Sequence, residues 1–509
     1  MKQFVKENWL VLLFISLFFF VRLFELNTVG ETWDEIAKIR NGQLHLKAIS
    51  HLDFSYDTWV VHKEHPPVGK ILLALPTYLT TKFGITLLND SVYQVSKQYN
   101  LARLVSLIFA CGTLLLTFLI SKKWFNLTVA WLSVIGLSLF PHFVAHSFIA
   151  TLESPQTFFI TLLFFTLVYL GNSKKIKDWL IIAIVVALGL LVKLSSIFFL
   201  PLPFLFSLAS GLKFDLSKKN FNLPTKKILK HLFIKNLIIY SLAMAIFILL
   251  WPWLWANPVT RFLETLNHFN VTRTEYFMGK LINPPFYYYL YYFAISVPVV
   301  YFIGFIFGIK NIFSRKYLLI LIWFLLPFIA SFSGFKQNGV RYLHSSFPAF
   351  CILVGVGYEQ ALHKLKVRNL VFLLFFVILI VINLLISPYY LDYYNILVKG
   401  PANVYSKKLA QIGWWGEGSK QAILFLNNYT NKKSSVCIKL TPAHVIPNIN
   451  DNFTIYYDNS NSVKCKSQYL IINTLDQWLK NYTVDKNTYE IIFTVKAFGA
   501  PLAQVYKHK

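Results

Sequence analysis

Apolar runs long enough to cross a bilayer recur from Leu10 to Ser387, and they constrain the fold more than any other feature of the chain. A hydrocarbon core about 30 Å thick needs about 20 apolar residues in helical form. Within that core each backbone N–H and C=O must be satisfied inside its own segment. Many such runs therefore imply a bundle of membrane helices. Composition agrees, with 56% hydrophobic, 17% aromatic and only 14% charged residues, where soluble domains average about 25% charged. Mean hydropathy is +0.53. The first run follows Lys2 and Lys6 in the manner of a signal peptide. Val21-Arg22-Leu23-Phe24-Glu25 stands where small residues would mark cleavage, so the run is read as the first span.

The net charge of +27 would suit a nucleic-acid binder if it were gathered on one face. It is instead dispersed in short loops between apolar runs: Lys122-Lys123, Lys174-Lys175 with Lys177, Lys213 through Lys235, Lys310 with Arg315-Lys316, and Lys364, Lys366 and Arg368. That is the pattern of cytoplasmic loops, and it sets topology rather than nucleic-acid binding. With the N-terminus inside, spans are predicted over 10–26, 101–120, 129–142, 156–170, 179–191, 195–209, 237–253, 288–309, 318–332, 342–358 and 370–386. These are about eleven crossings. Parity requires 179–191 and 195–209 to form a hairpin with Lys193 at its outer tip. It also requires 71–88 to lie at the interface or re-enter. The chain is thus expected in the plasma membrane as a multi-pass α-helical protein.

A membrane domain over 1–388 is expected to include a first outer loop at 27–99 with interfacial helices. Shorter outer loops follow at 142–154 and 255–286, and residues 389–509 form an extracytoplasmic α/β domain. In that tail a helix is predicted over 419–429 and strands over 435–440, 469–472 and 489–495. Cys437 and Cys465 lie in the tail and can pair if it is extracytoplasmic; Cys111 and Cys351 fall in apolar runs. No internal repeat marks an inverted-repeat transporter.

The first outer loop is the richest in polar chemistry. Thr32-Trp33-Asp34-Glu35 has the capping-box form and opens a helix through Ile36, Ile39 and Leu44. Asp34 and Glu35 either serve only the helix dipole or face the outer surface as working acids. The loop ends in Glu64-His65-Pro66-Pro67-Val68-Gly69-Lys70. Lys70 either snorkels to headgroups or meets a lipid phosphate at the same height.

Taken together, these two segments resemble the polyprenyl-phosphate-dependent GT-C glycosyltransferases, which include dolichyl-phosphate-mannose protein mannosyltransferases and lipid A aminoarabinose transferases. Ala102-Arg103-Leu104-Val105-Ser106, Lys193, Arg341-Tyr342-Leu343 through Pro348, Leu391-Asp392-Tyr393-Tyr394-Asn395 and Gly413-Trp414-Trp415-Gly416-Glu417-Gly418 extend the likeness. Thr151-Leu152-Glu153-Ser154-Pro155 places a glutamate where such enzymes often carry an aspartate. The large lectin-like insertion of eukaryotic members is missing.

The resemblance implies transfer of a sugar, mannose-like or related, from a polyprenyl-phosphate carrier to an extracytoplasmic acceptor hydroxyl, with inversion. A hydroxyl nucleophile requires a carboxylate base, for which Asp34 is the choice; Glu35 holds the acceptor or the helix start, and Glu153 stands in for the acid of the second outer loop. The leaving phosphate requires cations. Lys70 and Arg341 are the first candidates, Arg103 and Lys193 the second, and Arg103 is equally a structural partner for a loop carboxylate. His65, His146 and Glu417 are further site candidates. No metal or other cofactor is required, although His65, His142 and His146 with Glu153 are potential ligands. The expected partners are the carrier lipid, the bilayer and an acceptor of unspecified class. A flippase for lipid-linked saccharides is the rival reading; it requires charges at mid-bilayer, and here they gather at the outer boundary.

Overall fold

The computed structural model describes residues 2–82, 96–211, 213–215, 220–222, 226–270, 273–332, 336–439, 449–458, 465, 467–480 and 483–509. The end of the 71–88 run, and Lys218-Lys219 of the basic stretch, lie outside these. Among the described residues seven helices are long and apolar enough to cross a membrane, and nine spans result if each of two bent pairs counts as one. The chain is therefore a multi-pass membrane protein.

The difference from eleven has local causes. Residues expected to span at 129–142 form Leu127–Ser138 and Pro141–Ser147, bent by 66°. The 288–309 run breaks into Tyr288–Ser296 and Val299–Gly308 at an angle of 112°. Proline lacks the N–H a helix interior needs, and Pro141 and Pro298 stand at the two bends. The pair expected at 179–191 and 195–209 appears as Ile176–Val192 and a shorter apolar stretch, Leu194–Ala209. Lys193 separates them in extended backbone, with φ −155° and ψ 129°.

The Phe347–Leu362 helix is the axis of the core and is buried along nearly its whole length. It packs on Leu127–Ser138, Val299–Gly308 and Arg315–Leu325. The N-terminal helix Lys2–Glu25 and the Arg368–Ile386 helix are peripheral and expose rows of leucine, isoleucine and phenylalanine, as lipid-facing helices do.

Two helices from the 27–99 segment, Trp33–Ser50 and Pro67–Lys82, pack tightly on each other and on the bundle. Glycines permit that approach. A Cβ at Gly42 would lie 2.1 Å from the Lys70 carbonyl oxygen, and one at Gly69 would lie 2.5 Å from that of Val192. Gly69→Ala is expected to cost about 1–3 kcal/mol, as overpacking does, and to displace the neighbouring Lys193. Thermal unfolding of the variant checks this, and an unchanged midpoint would refute the role assigned to Gly69.

The tail forms a five-stranded sheet in the order Phe453–Asp458, Ser434–Lys439, Tyr469–Asn473, Ala500–His508 and Tyr489–Ala497. The first three strands are parallel and the last two pairings antiparallel. Helix Ser419–Tyr429 covers one face with Ala422, Ile423 and Leu426, and Phe425 stacks on Phe493 at 4.2 Å. Cys437 and Cys465 form a disulfide, the state expected in an oxidising compartment.

Candidate active site

Arg341 is the point at which separate parts of the chain meet. It is launched from a turn in which Asn338 adopts a left-handed conformation with φ 60°, one that asparagine tolerates better than most residues. The turn is held by Glu275, which accepts from the Asn338 N–H at 2.9 Å and from the Tyr288 hydroxyl at 2.6 Å. The same hydroxyl accepts from the Gly339 N–H at 2.8 Å. Burial raises the Glu275 carboxyl to about 7, against the pull of these two donors. Glu275 did not stand out in the sequence.

The Arg341 Nε donates to Glu153 Oε1, and Nη1 pairs with Asp34 Oδ2 at 2.8 Å. Its guanidinium lies over Trp415 at 4.4 Å and near Trp414 at 5.9 Å. Nη2 has no hydrogen-bond partner among the described residues. Lys193 Nζ donates to the same Glu153 oxygen at 2.9 Å and sits 4.7 Å over the Tyr342 ring. Two cations thus share one carboxylate. Glu153 is fully buried, Lys193 nearly so, whereas the Asp34 side chain keeps 30% exposure. Asp34 is the more accessible carboxylate of this set. Burial would raise its pKa, but Arg341 and then Lys38 outweigh burial and hold it below the ordinary aspartate range.

Glu35 does different work. It completes the capping box with Thr32, accepts from the Ala150 N–H at 2.8 Å, and takes Arg103 through both oxygens at 2.7 and 2.8 Å. Arg103 also donates to the carbonyls of Leu26 at 2.5 Å, Val29 at 3.0 Å and Gly30 at 2.9 Å. All five of its N–H groups are thereby used. Of the two places expected for Arg103, its contacts are those of the structural partner of a loop carboxylate: all its N–H groups are engaged, and it pins the loop that carries Asp34. Glu35 likewise holds the helix start rather than facing the site.

Lys70 is 1% exposed, and its Nζ donates to the His62 carbonyl at 2.9 Å. Burial, partly offset by Glu64 and reinforced by Lys38, lowers its pKa to about 7. The unfolded chain then holds the Lys70 proton where the folded one has lost it. Stability should accordingly rise with pH above 7. The rise is expected in melting temperatures between about pH 7 and 9 and should be absent in Lys70→Met; identical pH profiles would place the cause elsewhere.

Lys38, which the sequence reading passed over, lies one helical turn beyond Asp34 and acts on Asp34, Glu64, His65, Lys70 and Lys193 electrostatically. It is 7% exposed and has no carboxylate within 4 Å among the described residues. Its i, i+4 spacing from Asp34 was the available signal.

His65, Lys193 and Tyr342 stand at the polar end of a cavity of about 430 Å³ whose remaining wall includes Leu194, Ile197, Phe198, Leu263, Leu266 and Phe269. His146 lies behind Arg341, edge-on to Trp415 at 5.5 Å and to His344 at 4.8 Å. Glu417 accepts from the Trp415 N–H at 2.8 Å and so fixes the indole under Arg341. It is buried beside Asp392, which accepts from the Gly413 N–H at 2.7 Å. Burial lifts Glu417 to about 7; burial and then the charge of Glu417 hold Asp392 well above the ordinary aspartate range. Among the described residues, one group of three potential metal ligands lies close together, Cys437, Asp458 and Cys465 in the tail. Two of these are joined in the disulfide.

Two crystal structures of ArnT from Cupriavidus metallidurans superpose over 98% of this chain and 98% of theirs. The apo form does so with a TM-score of 0.50 and the form bound to undecaprenyl phosphate with 0.51, each at 12% sequence identity. The chain shares the fold of these two structures. The family model for dolichyl-phosphate-mannose-protein mannosyltransferase matches residues 58–257 of this chain. That stretch contains Lys70, Arg103, Glu153 and Lys193. No curated protein matches the chain by sequence.

Proposed function

We propose that the chain is a polyprenyl-phosphate-dependent membrane glycosyltransferase, acting on an acceptor hydroxyl at the extracytoplasmic face with inversion at the anomeric carbon. The convergence of Asp34, Glu153, Lys193 and Arg341 from four separate segments carries this reading. The N-terminus and the basic loops are cytoplasmic in this reading, the 389–509 domain extracytoplasmic. The apolar cavity beside Lys193 suits the first isoprene units of a carrier, whose phosphate would then meet Lys193, Lys38 and Arg341.

The acceptor oxygen attacks the anomeric carbon as its proton passes to Asp34. The bond between that carbon and the phosphate oxygen breaks, and the lipid phosphate departs with the electron pair. Charge grows on the leaving phosphate, and preorganised cations stabilise it more than they stabilise the bound donor. Glu153 keeps Arg341 and Lys193 in place; it is enclosed and doubly paired, which suits positioning better than proton transfer. Asp34 is a weak base while Arg341 holds it. A donor phosphate competes for Arg341, so donor binding itself would free Asp34 and raise its basicity. The base is then strongest when a sugar is present to receive the acceptor.

Protein in liposomes should move radiolabel from a panel of polyprenyl-phosphate sugars to extracted cell-envelope acceptors. Label crossing the bilayer on uncleaved lipid would replace this reading with a flippase.

A further inference from the structure

Residues 26–30 join the Lys2–Glu25 helix to the Trp33–Ser50 helix, which carries Asp34 in its first turn. They belong to neither helix, so their carbonyls need partners from elsewhere. All five have one. Arg103 takes those of Leu26, Val29 and Gly30, and the tail supplies the other two. Lys420 Nζ donates to the Asn27 carbonyl at 2.6 Å, and Gln421 Nε2 donates to that of Thr28 at 2.6 Å. The approach is close: a Cβ at Gly30 would lie 2.9 Å from the Lys420 Cβ. Both cations act on the buried Glu31, where burial raises the carboxyl against the pull of Arg103 and, more weakly, of Lys420.

Lys420 and Gln421 open the Ser419–Tyr429 helix, whose buried residues are Ser419, Ala422, Ile423 and Leu426. The two polar side chains stand outside that set. The tail also reaches the Arg341 side of the site. In the hairpin that begins at Glu275, the Met278 and Gly279 N–H groups donate to the carbonyls of Leu409 at 2.9 Å and Lys408 at 3.1 Å. Lys408 Nζ lies 4.8 Å over Tyr276 and 5.6 Å over Trp478. Glu275 holds the turn that launches Arg341, and Trp414 and Trp415 lie against the guanidinium. One region thus grips the segment ahead of Asp34 and the support of Arg341, two parts of the chain that are far apart in sequence.

We propose that the tail is a working part of the transfer site, in which Lys420 and Gln421 are positioning residues that hold the 26–30 segment and so set Asp34 against Arg341. The kinetic consequence rests on the transfer reading above; the hold itself does not.

Backbone hydrogen exchange of the whole chain in detergent tests the hold without any substrate, in wild type, Lys420→Met/Gln421→Leu and Lys420→Arg. The double variant should melt with wild type. Its amides over residues 26–36 should exchange about tenfold faster, the effect of losing two hydrogen bonds of ordinary net strength. Amides of the strands Ser434–Lys439 and Tyr469–Asn473 should be unaffected. With a donor and acceptor that wild type uses, kcat should fall about 10- to 100-fold at unchanged donor KM, the cost of a small misplacement of reacting groups. Lys420→Arg should keep wild-type exchange and wild-type kcat, since a guanidinium donates to the same carbonyl. If the double variant melts early, Gln421→Leu alone decides the matter by the same exchange. Unchanged exchange over 26–36 would overturn the proposal, as would an equal loss of protection in the tail strands. Faster exchange with unchanged kcat would overturn it too. A wild-type chain that transfers no sugar would refute the transfer reading instead, and exchange would still report on the hold.

Discussion

Arg103→Met should destabilise the protein by about 3–5 kcal/mol, the usual consequence of leaving a buried carboxylate without its partner. Glu35 is fully buried and would keep only the Thr32 and Ala150 N–H donors. The carbonyls of Leu26, Val29 and Gly30 would lose their donor in the same step. The loop that carries Asp34 would then lose its anchor, and activity would fall because the fold does. Arg103→Met combined with Glu35→Leu should recover a substantial part of the loss, since replacing both members of a buried pair costs far less than removing one. Chemical or thermal unfolding of the three variants in one detergent measures this cycle. Equal stability of Arg103→Met and wild type would show that Arg103 is not the anchor described here.

Arg341→Lys should have the opposite signature, a folded protein with transfer reduced about 10²- to 10³-fold, as when one preorganised donor to a developing negative charge is removed. Lysine keeps the charge for Glu153 and Asp34. It cannot present two N–H groups in a fixed fork or stack flat on Trp415. The loss should appear in kcat as well as in kcat/KM, because the interaction strengthens as the phosphate leaves. An increase in KM alone would make Arg341 a ground-state contact, and the proposed release of Asp34 by the donor would fail with it.

The contrast between these variants follows a division that the sequence half revealed. The family resemblance led to Asp34, Glu153, Lys193 and Arg341, through short motifs whose order along the chain agrees with it. That resemblance gave Asp34 the role of base and left Glu35 to hold the acceptor or the helix start. Only the fold shows one facing the cleft and the other capped, doubly paired and buried. Lys38 and Glu275 were missed for a similar reason, since each is an ordinary charge in a polar loop until packing encloses it.

The fold was legible wherever periodicity was strong, as in the tail helix predicted at 419–429 and found as Ser419–Tyr429. It failed at breaks inside apolar runs, where the 112° bend at Val297-Pro298 follows from one proline within a run of otherwise helical character. The strand Ala500–His508 was missed because Pro501 argues against a central strand. The structure places that proline opposite Lys496, at a register shift where the ladder is already irregular. Phe453–Asp458 follows Asn450-Asp451-Asn452, a turn-forming cluster that masks the start of a parallel strand.

The most direct test of the transfer site is a comparison of Asp34→Asn with wild type, using radiolabelled polyprenyl-phosphate sugar under single-turnover conditions, with donor binding measured in parallel. Asparagine preserves the shape and the helix start but cannot take the acceptor proton. The expected result is normal melting, retained donor binding and transfer lowered by about 10²- to 10⁴-fold, the usual worth of a general base. Transfer at the wild-type rate in a folded Asp34→Asn protein would contradict the account, and the base would have to be sought elsewhere.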